Sequence, residues 1–106
     1  MAMRNERICC SPKDVRVVLN YGPLGFVQAV TEQIASDHMR VNTGSITLNQ
    51  QAEVEIVMSI PGQKYSEHHR IAARVSHCGA DGHATLSFHC CGEKTLLALL
   101  PYVSLH

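Results

Sequence analysis

The sequence predicts a mostly β domain, a small antiparallel barrel or sandwich with six strands and one C-terminal helix. Six short segments are rich in β-branched and apolar residues, and turn residues separate them at intervals of about ten. The last apolar segment instead has leucines at helical spacing. The chain has 106 residues, which is the length of a single domain.

The first three strands are predicted at 15–20, 26–35 and 38–43. The first, VRVVLN, stops at YGPLG, where two glycines and a proline favour a loop. The second is long enough to require a bend or a bulge. The third follows a tight turn, ASDH, in which a histidine stands where such a hairpin would normally carry glycine.

The next three strands are predicted at 52–60, 70–77 and 83–91, with a hairpin loop, CGADG, between the last two. Each alternates between apolar and polar residues, so one face of each strand should point into the core. The expected inward residues are Val54, Ile56, Met58 and Ile60, then Ile71, Ala73 and Val75, then Ala84, Leu86, Phe88 and Cys90.

The period changes to helical in GEKTLLALL, residues 92–100. Leu96, Leu97 and Leu100 share a stripe that we expect to pack on the barrel, and Pro101 limits the end of the helix. Residues 1–12 are expected to be a flexible tail. Residues 13–106 are then the domain, with the helix at about 92–102.

Composition and charge argue against several classes of protein. Apolar residues make up 45% of the chain, and nine basic residues balance nine acidic ones. A nucleic-acid-binding or anionic-membrane-binding protein usually has a basic excess, so neither partner is expected. No apolar run approaches the roughly 20 residues that span a bilayer. The start, MAMRNERICC, has no apolar signal-peptide core, so a cytoplasmic location is expected.

Five cysteines occur as two doublets, Cys9-Cys10 and Cys90-Cys91, and a single Cys78. An odd number without a signal peptide argues against a disulfide framework. Adjacent side chains on a strand point to opposite faces, so a doublet is poorly suited to chelate one zinc ion. Free thiols are the preferred interpretation; a site that combines these cysteines with nearby histidines is the alternative.

No catalytic set is recognisable, and we expect neither enzymatic activity nor a cofactor. There is no Gly-x-Ser-x-Gly elbow, no P-loop and no Gly-x-Gly-x-x-Gly segment. His68 and His69 follow KYSE and are expected in an exposed loop, and no acidic residue is spaced with a histidine for acid–base work. A cysteine nucleophile paired with a distant histidine stays open, because such a pair is defined in space.

The order of these elements resembles the PilZ domains, a bacterial family. The resemblance covers about residues 13–103 and depends on QIASDHMRV, AEVEIVMSIPG, RIAARVSH, ATLSF and the closing helix. It implies a six-stranded antiparallel PilZ-type β-barrel with one C-terminal α-helix. Many members of the family bind the second messenger cyclic di-GMP.

The family's two ligand motifs are altered here. The first, Arg-x-x-x-Arg, is absent, because Arg4 and Arg7 are three residues apart, as are Lys13 and Arg16. The second, Asp/Asn-x-Ser-x-x-Gly, falls on Gln33, Ala35 and His38, and none of the three matches. If cyclic di-GMP still binds, the candidate contacts are Arg4, Arg7, Arg16, Gln33, Ser36, Asp37, His38 and Arg40.

Two functions follow from the resemblance. The preferred one is an adaptor or regulator in cyclic di-GMP-linked processes such as motility, pili or biofilm formation, which binds another signalling or motility protein and has weak or no ligand binding. The alternative is a cyclic di-GMP receptor with altered contacts. An unrelated role for a small β-barrel is third.

Overall fold

The computed structural model describes residues 11–62 and 64–103. These residues form six strands and one α-helix: β1 (Arg16–Tyr21), β2 (Gly25–Ile34), β3 (His38–Asn42), β4 (Glu53–Ile60), β5 (Glu67–Cys78), β6 (His83–Phe88) and α1 (Glu93–Leu99). Short 3₁₀ turns lie at Pro12–Asp14, Gly22–Leu24 and Leu100–Tyr102. In this part of the chain no helix is both long and apolar enough to cross a membrane.

The strands form a closed antiparallel barrel in the order β1-β2-β3-β6-β5-β4. This confirms the predicted barrel with a C-terminal helix. Strand β2 shifts register between Thr31 and Gln33, which is the irregularity that its length led us to expect. A second shift, between Val75 and His77 of β5, changes which residue of β5 lies opposite Thr85.

The core follows from the period-2 pattern of each strand, since alternate side chains point inward. In β4 the inward residues are the predicted Val54, Ile56, Met58 and Ile60, each at most 5% exposed. Ile71, Ala73 and Val75 of β5 and Ala84 and Leu86 of β6 are also buried as predicted. Burial of one such aliphatic side chain contributes about 1.5–3 kcal/mol, so this shared interior is the main source of stability.

Both ends of the barrel are covered. At one end, Val15, Leu99 and Tyr102 join the core, and Ile34 forms an isolated parallel bridge with Val103. At the other end, the loop between β3 and β4 contributes the buried Leu48, and the Tyr21 hydroxyl accepts a hydrogen bond from the Asn49 N–H at 3.2 Å.

The sixth strand is shorter than predicted. It ends at Phe88 instead of residue 91, Phe88 is only partly buried, and Cys90 is exposed instead of inward. One of its two partners ends here: β3 begins at His38, which already lies opposite Ser87, whereas on the β5 side the His89 N–H still donates to the Ala72 carbonyl at 2.9 Å. Beyond this point there is no β3 residue for β6 to pair with.

The predicted face of the helix was also wrong. Leu97 and Leu100 are 60% and 52% exposed, and Leu96 is half-buried. The buried residues are instead Thr95, Leu99 and Tyr102, at i, i+4 and i+7. Because the leucines occupy more than one side of the helix, their spacing could not identify the packed side.

Two further expectations concern His68–His69 and the tail. The pair lies within β5, not in a loop, and the side chain of His69 is only 13% exposed. Its Nδ1 lies 2.8 Å from the Thr95 hydroxyl, so this histidine connects the barrel to α1. The expected flexible tail, residues 1–12, lies mostly outside the described residues, and Pro12 already begins a 3₁₀ turn.

Candidate functional site

The turn between β2 and β3, where the family's second motif would lie, closes through its own backbone. The Ala35 N–H donates to the His38 carbonyl at 2.9 Å, and the Phe88 N–H donates to the Asp37 carbonyl at 2.9 Å. Within the described residues, positive φ values occur at Gln51, Gly25, Gly44 and Gly82, none of which is in this turn. The turn therefore has no conformational need for glycine, and a histidine is accommodated at position 38.

Asp37 and His38 are paired with each other. The His38 Nδ1 lies 2.7 Å from the Asp37 Oδ1, and this hydrogen bond holds the pKa of the Asp37 carboxyl below its usual value. Both groups are at the surface, and Asp37 is 83% exposed. Because these two side chains are bonded to each other, the same atoms are not available to bond the edge of a nucleotide base.

The structure brings five of the eight candidate ligand residues to this hairpin. Four are Gln33, Ser36, Asp37 and His38, and the fifth, Arg40, lies directly opposite Gln33 in the β2–β3 register. Arg4 and Arg7 lie outside the described residues. Arg16 begins β1 and is exposed on the outer surface of the barrel, with β2 between it and β3.

The N-terminal 3₁₀ turn joins Arg16 to this region. The turn Pro12–Asp14 packs against β2, and the Thr31 hydroxyl donates to the Val15 carbonyl at 2.9 Å. These contacts set Lys13 and Arg16 beside the outer surface of β2. Within the described residues neither cation forms an ion pair, whereas Arg70 and Arg74 each pair with a glutamate.

An apolar surface lies on the outside of β1 and β2, next to these two cations. Phe26 and Val30 of β2 are 70% and 54% exposed, and Leu24 in the preceding turn is 56% exposed. Val18 of β1 lies opposite Gln28, the residue midway between Phe26 and Val30, so it is a diagonal neighbour of both. We call Val18, Leu24, Phe26 and Val30 the β1–β2 face.

A shallow groove lies at the Val18 and Val30 end of this face. Its volume is about 380 Å³, and its lining includes Val18 and Val30 together with Lys13 and Arg16. An apolar floor with positive charge at one end is suited to an apolar side chain that is followed by a carboxylate. This face could not be predicted from the sequence, because Val18, Phe26 and Val30 are residue types typical of any strand. Only the register of β1 and β2 shows that they are neighbours.

The outer surface of β4 and β5 differs in having its charges paired. Glu53 accepts a hydrogen bond from Arg74 Nε at 2.9 Å and also contacts His89, and Arg70 lies 3.7 Å from Glu55. The pKa of the Glu53 carboxyl is lowered, first by the hydrogen bond from Arg74 and then by that from His89. Both arginines of this surface are therefore already paired with glutamates, unlike Lys13 and Arg16 within the described part of the chain.

Three free cysteines lie in the described residues, with Cys90 exposed and Cys78 and Cys91 half-buried. Burial raises the pKa of the Cys91 thiol, and the adjacent Cys90 raises it further, so the nucleophilic thiolate is disfavoured. The Cys78 sulfur accepts a hydrogen bond from the Leu48 N–H at 3.3 Å, a structural contact. Residues 11–62 and 64–103 contain no group of three or more His, Cys, Asp or Glu side chains placed to share a metal ion.

Comparison with known proteins adds no assignment. No protein-family model matches the chain, and the search of curated proteins found no match. The β1–β2 face, the cations beside it and the hairpin are therefore the features that bear on function.

Proposed function

We propose that this protein is a non-enzymatic, PilZ-like bacterial signalling module that acts in the cytoplasm as an adaptor by binding another protein. Its setting would be a cyclic di-GMP-linked process such as motility, pilus function or biofilm formation. The observation that carries the proposal is the β1–β2 face, three of whose four side chains are more than half exposed. The resemblance of the sequence to PilZ domains suggests the setting.

The face has the composition of a protein-binding surface. Protein interfaces typically have an apolar, often aromatic centre and a polar rim, and a few anchor residues supply most of the affinity. Phe26 is the natural anchor, because burial of a phenylalanine side chain that is now mostly in water contributes about 1.5–3 kcal/mol. Lys13 and Arg16 at one end favour a partner segment that carries a carboxylate beside its apolar residues.

The hairpin supports a role without strong ligand binding. A serine hydroxyl and a glycine of the family's motif are replaced by Ala35 and His38, and the His38 ring is hydrogen-bonded to Asp37. Loss of one hydrogen bond to a charged group costs about 1.5–3 kcal/mol, or roughly a tenfold to hundredfold loss of affinity. Several such losses would reduce a micromolar ligand affinity to an ineffective one.

A matched pair of variants tests the adaptor function. Tagged wild-type protein, Phe26→Ser and Tyr65→Ser would be used to capture proteins from cells, and a captured protein would then be purified and titrated. Tyr65 is the control because it is also exposed, at 73%, but lies in the loop between β4 and β5. We expect Phe26→Ser to weaken binding at least about tenfold and Tyr65→Ser to leave it unchanged.

Equal weakening by the two substitutions would show that the β1–β2 face is not the docking surface. Charge gives an independent measurement, since reversal of Arg16 to Glu should slow association with a carboxylate-bearing partner. Its effect should diminish at high salt.

The second candidate is a cyclic di-GMP receptor with altered contacts, favoured by Arg16, which has no ion pair among the described residues, and by Arg40 opposite Gln33. A titration of cyclic di-GMP followed by backbone amide shifts tests it directly. If this function holds, saturable shifts will appear at the β2–β3 hairpin at micromolar ligand, and Arg4→Ala and Arg7→Ala will each weaken them. If the adaptor function holds, wild-type protein will not bind, and recovery will require both a restored hairpin motif and an added Arg-x-x-x-Arg segment before Val15.

A further inference from the structure

A row of polar side chains crosses three strands on the side of the barrel formed by β3, β6 and β5. Arg40 of β3 lies directly opposite Thr85 of β6, and Thr85 lies directly opposite His77 of β5. Directly opposed residues have Cβ atoms about 4.5–5.5 Å apart. Arg40 and Thr85 point outward, because Val41, Ala84 and Leu86 beside them in β3 and β6 are buried, and His77 is itself exposed. The register shift before His77 is what aligns it with Thr85.

None of the three side chains has a partner within the described part of the chain. Arg40 forms no ion pair there, and neither the Thr85 hydroxyl nor the His77 ring forms a side-chain hydrogen bond. Neighbouring groups differ: His38 on the same surface is bonded to Asp37, and Arg74 is bonded to Glu53. A guanidinium, a hydroxyl and an imidazole therefore lie side by side without a side-chain partner among residues 11–62 and 64–103.

The three side chains line one side of an open pocket with a volume of about 500 Å³, which we call the concavity. Its other walls include Gly79, Ala80 and Asp81 of the β5–β6 hairpin loop and His83, the first residue of β6. Small-molecule sites usually fall in the range of about 300–1,000 Å³. The space is thus sufficient for a small organic molecule that places one anionic group against the row.

Two carboxylates lie nearby, and both are engaged by His83. The Glu32 Oε1 lies 2.7 Å from the His83 Nδ1, and the Asp81 Oδ1 accepts the His83 N–H at 3.2 Å. Neither forms an ion pair with Arg40 within the described residues. Asp81 nevertheless lines the concavity, so its charge should weaken the binding of an anion there.

We propose that Arg40, Thr85 and His77 form a binding site for the phosphate group of a small organic phosphomonoester. Arg40 presents two parallel N–H donors, which fit two oxygens of a phosphate. The Thr85 hydroxyl and the His77 ring supply donors for a third oxygen. A carboxylate has only two oxygens and would leave part of this set unused. The site is independent of the proposed adaptor function, because the β1–β2 face lies on other strands.

The test uses glycerol 3-phosphate as the probe and follows backbone amide shifts of the full chain during a titration. Inorganic phosphate and acetate are titrated in parallel. We expect saturable shifts centred on Arg40, Thr85 and residues 77–82, with a dissociation constant of about 1 mM. Binding of acetate should be at least about tenfold weaker, as should binding of inorganic phosphate, which cannot use the rest of the concavity.

Three exposed positions supply matched variants. Arg40→Gln should weaken glycerol 3-phosphate binding at least about tenfold, because a charge-assisted bidentate contact is lost. Arg16→Gln removes the other unpaired arginine of the described residues, on β1, and should leave binding unchanged. Asp81→Asn keeps the hydrogen-bonding oxygen but removes the negative charge, and should tighten binding.

Several outcomes would overturn the proposal. One is the absence of saturable shifts at the row, and another is equal weakening by Arg16→Gln and Arg40→Gln, which would indicate a diffuse charge effect. Acetate that binds as tightly as glycerol 3-phosphate would refute the phosphate assignment. Inorganic phosphate of equal affinity would refute the assignment to an organic ligand.

Discussion

Replacement of Leu99 by alanine should destabilise the protein strongly, because this side chain covers one end of the barrel. Leu99 is the last residue of α1 and is fully buried, in one cluster with Val15 and Tyr102. Truncation of a buried leucine costs about 2–5 kcal/mol through lost transfer energy and the cavity that remains. For a chain of 106 residues each kcal/mol lowers the melting temperature by about 4–5 °C, so we expect a decrease of roughly 10–20 °C.

The same helix supplies the control. Leu97→Ala is the identical chemical change two residues earlier, at a side chain that is 60% exposed. It should change the free energy of unfolding by no more than about 0.5 kcal/mol. Thermal melts by circular dichroism and urea titrations of both variants measure the difference. If Leu97→Ala cost as much as Leu99→Ala, the orientation of the helix on the barrel would be refuted.

Three further predictions concern charge, thiols and backbone. The hydrogen bonds from Arg74 and His89 hold the pKa of the Glu53 carboxyl low, so its stabilising contribution is present above the pKa of the unfolded carboxyl and is lost as pH falls through the folded value. In urea titrations at several pH values, Glu53→Gln should therefore reduce the loss of stability on the acid side, the acid limb of the pH profile. With the other cysteines replaced by serine, iodoacetamide should modify the exposed Cys90 faster than Cys91, as mass spectrometry would show. Gly82→Ala should lower the melting temperature by several degrees, because φ is +90° and a Cβ would approach a backbone oxygen, whereas Gly22→Ala has open space and should change it little.

Each of these has a clear contrary result. An unchanged acid limb in Glu53→Gln would mean that other carboxyls dominate acid unfolding. Equal alkylation rates would mean that the two thiols are equally accessible, and equal effects of the two alanine substitutions would mean that the β5–β6 hairpin tolerates a side chain at Gly82.

The sequence predicted the features that follow from the repeat of a single strand, and it did not predict those that depend on contacts between distant elements. The inward set of β4 could be predicted because a strand alternates with a period of two, whatever its neighbours are. The end of β6 could not be, since it depends on partner strands elsewhere in the chain, one of which, β3, begins about fifty residues earlier. The packed side of α1 was also beyond local pattern, because it is decided by contacts of Thr95 and Leu99 with the end of the barrel.

The surfaces that carry the two proposals depend on register, which explains why sequence analysis did not identify them. The β1–β2 face requires that Val18 lie opposite Gln28, and the polar row requires both partners of Thr85. A shift of one residue in any of these pairings would turn the side chains to the other side of the sheet. The hairpin at residues 33–40 could be named as a candidate from the sequence only because the resemblance to a family supplied the position of its motif.

The closed barrel also has a consequence for the kinetics of folding. Two of its seams join strands that are far apart in sequence: β1 pairs with β4, and β3 pairs with β6, so the second seam cannot form before residues 83–88 have been synthesised. Such long-range closure slows folding relative to helical proteins of similar length. Until β6 is in place, β3 and β5 each leave one edge unpaired, and an unpaired strand edge can associate with another chain. The newly made protein should therefore be most prone to aggregation during the interval before β6 closes the barrel.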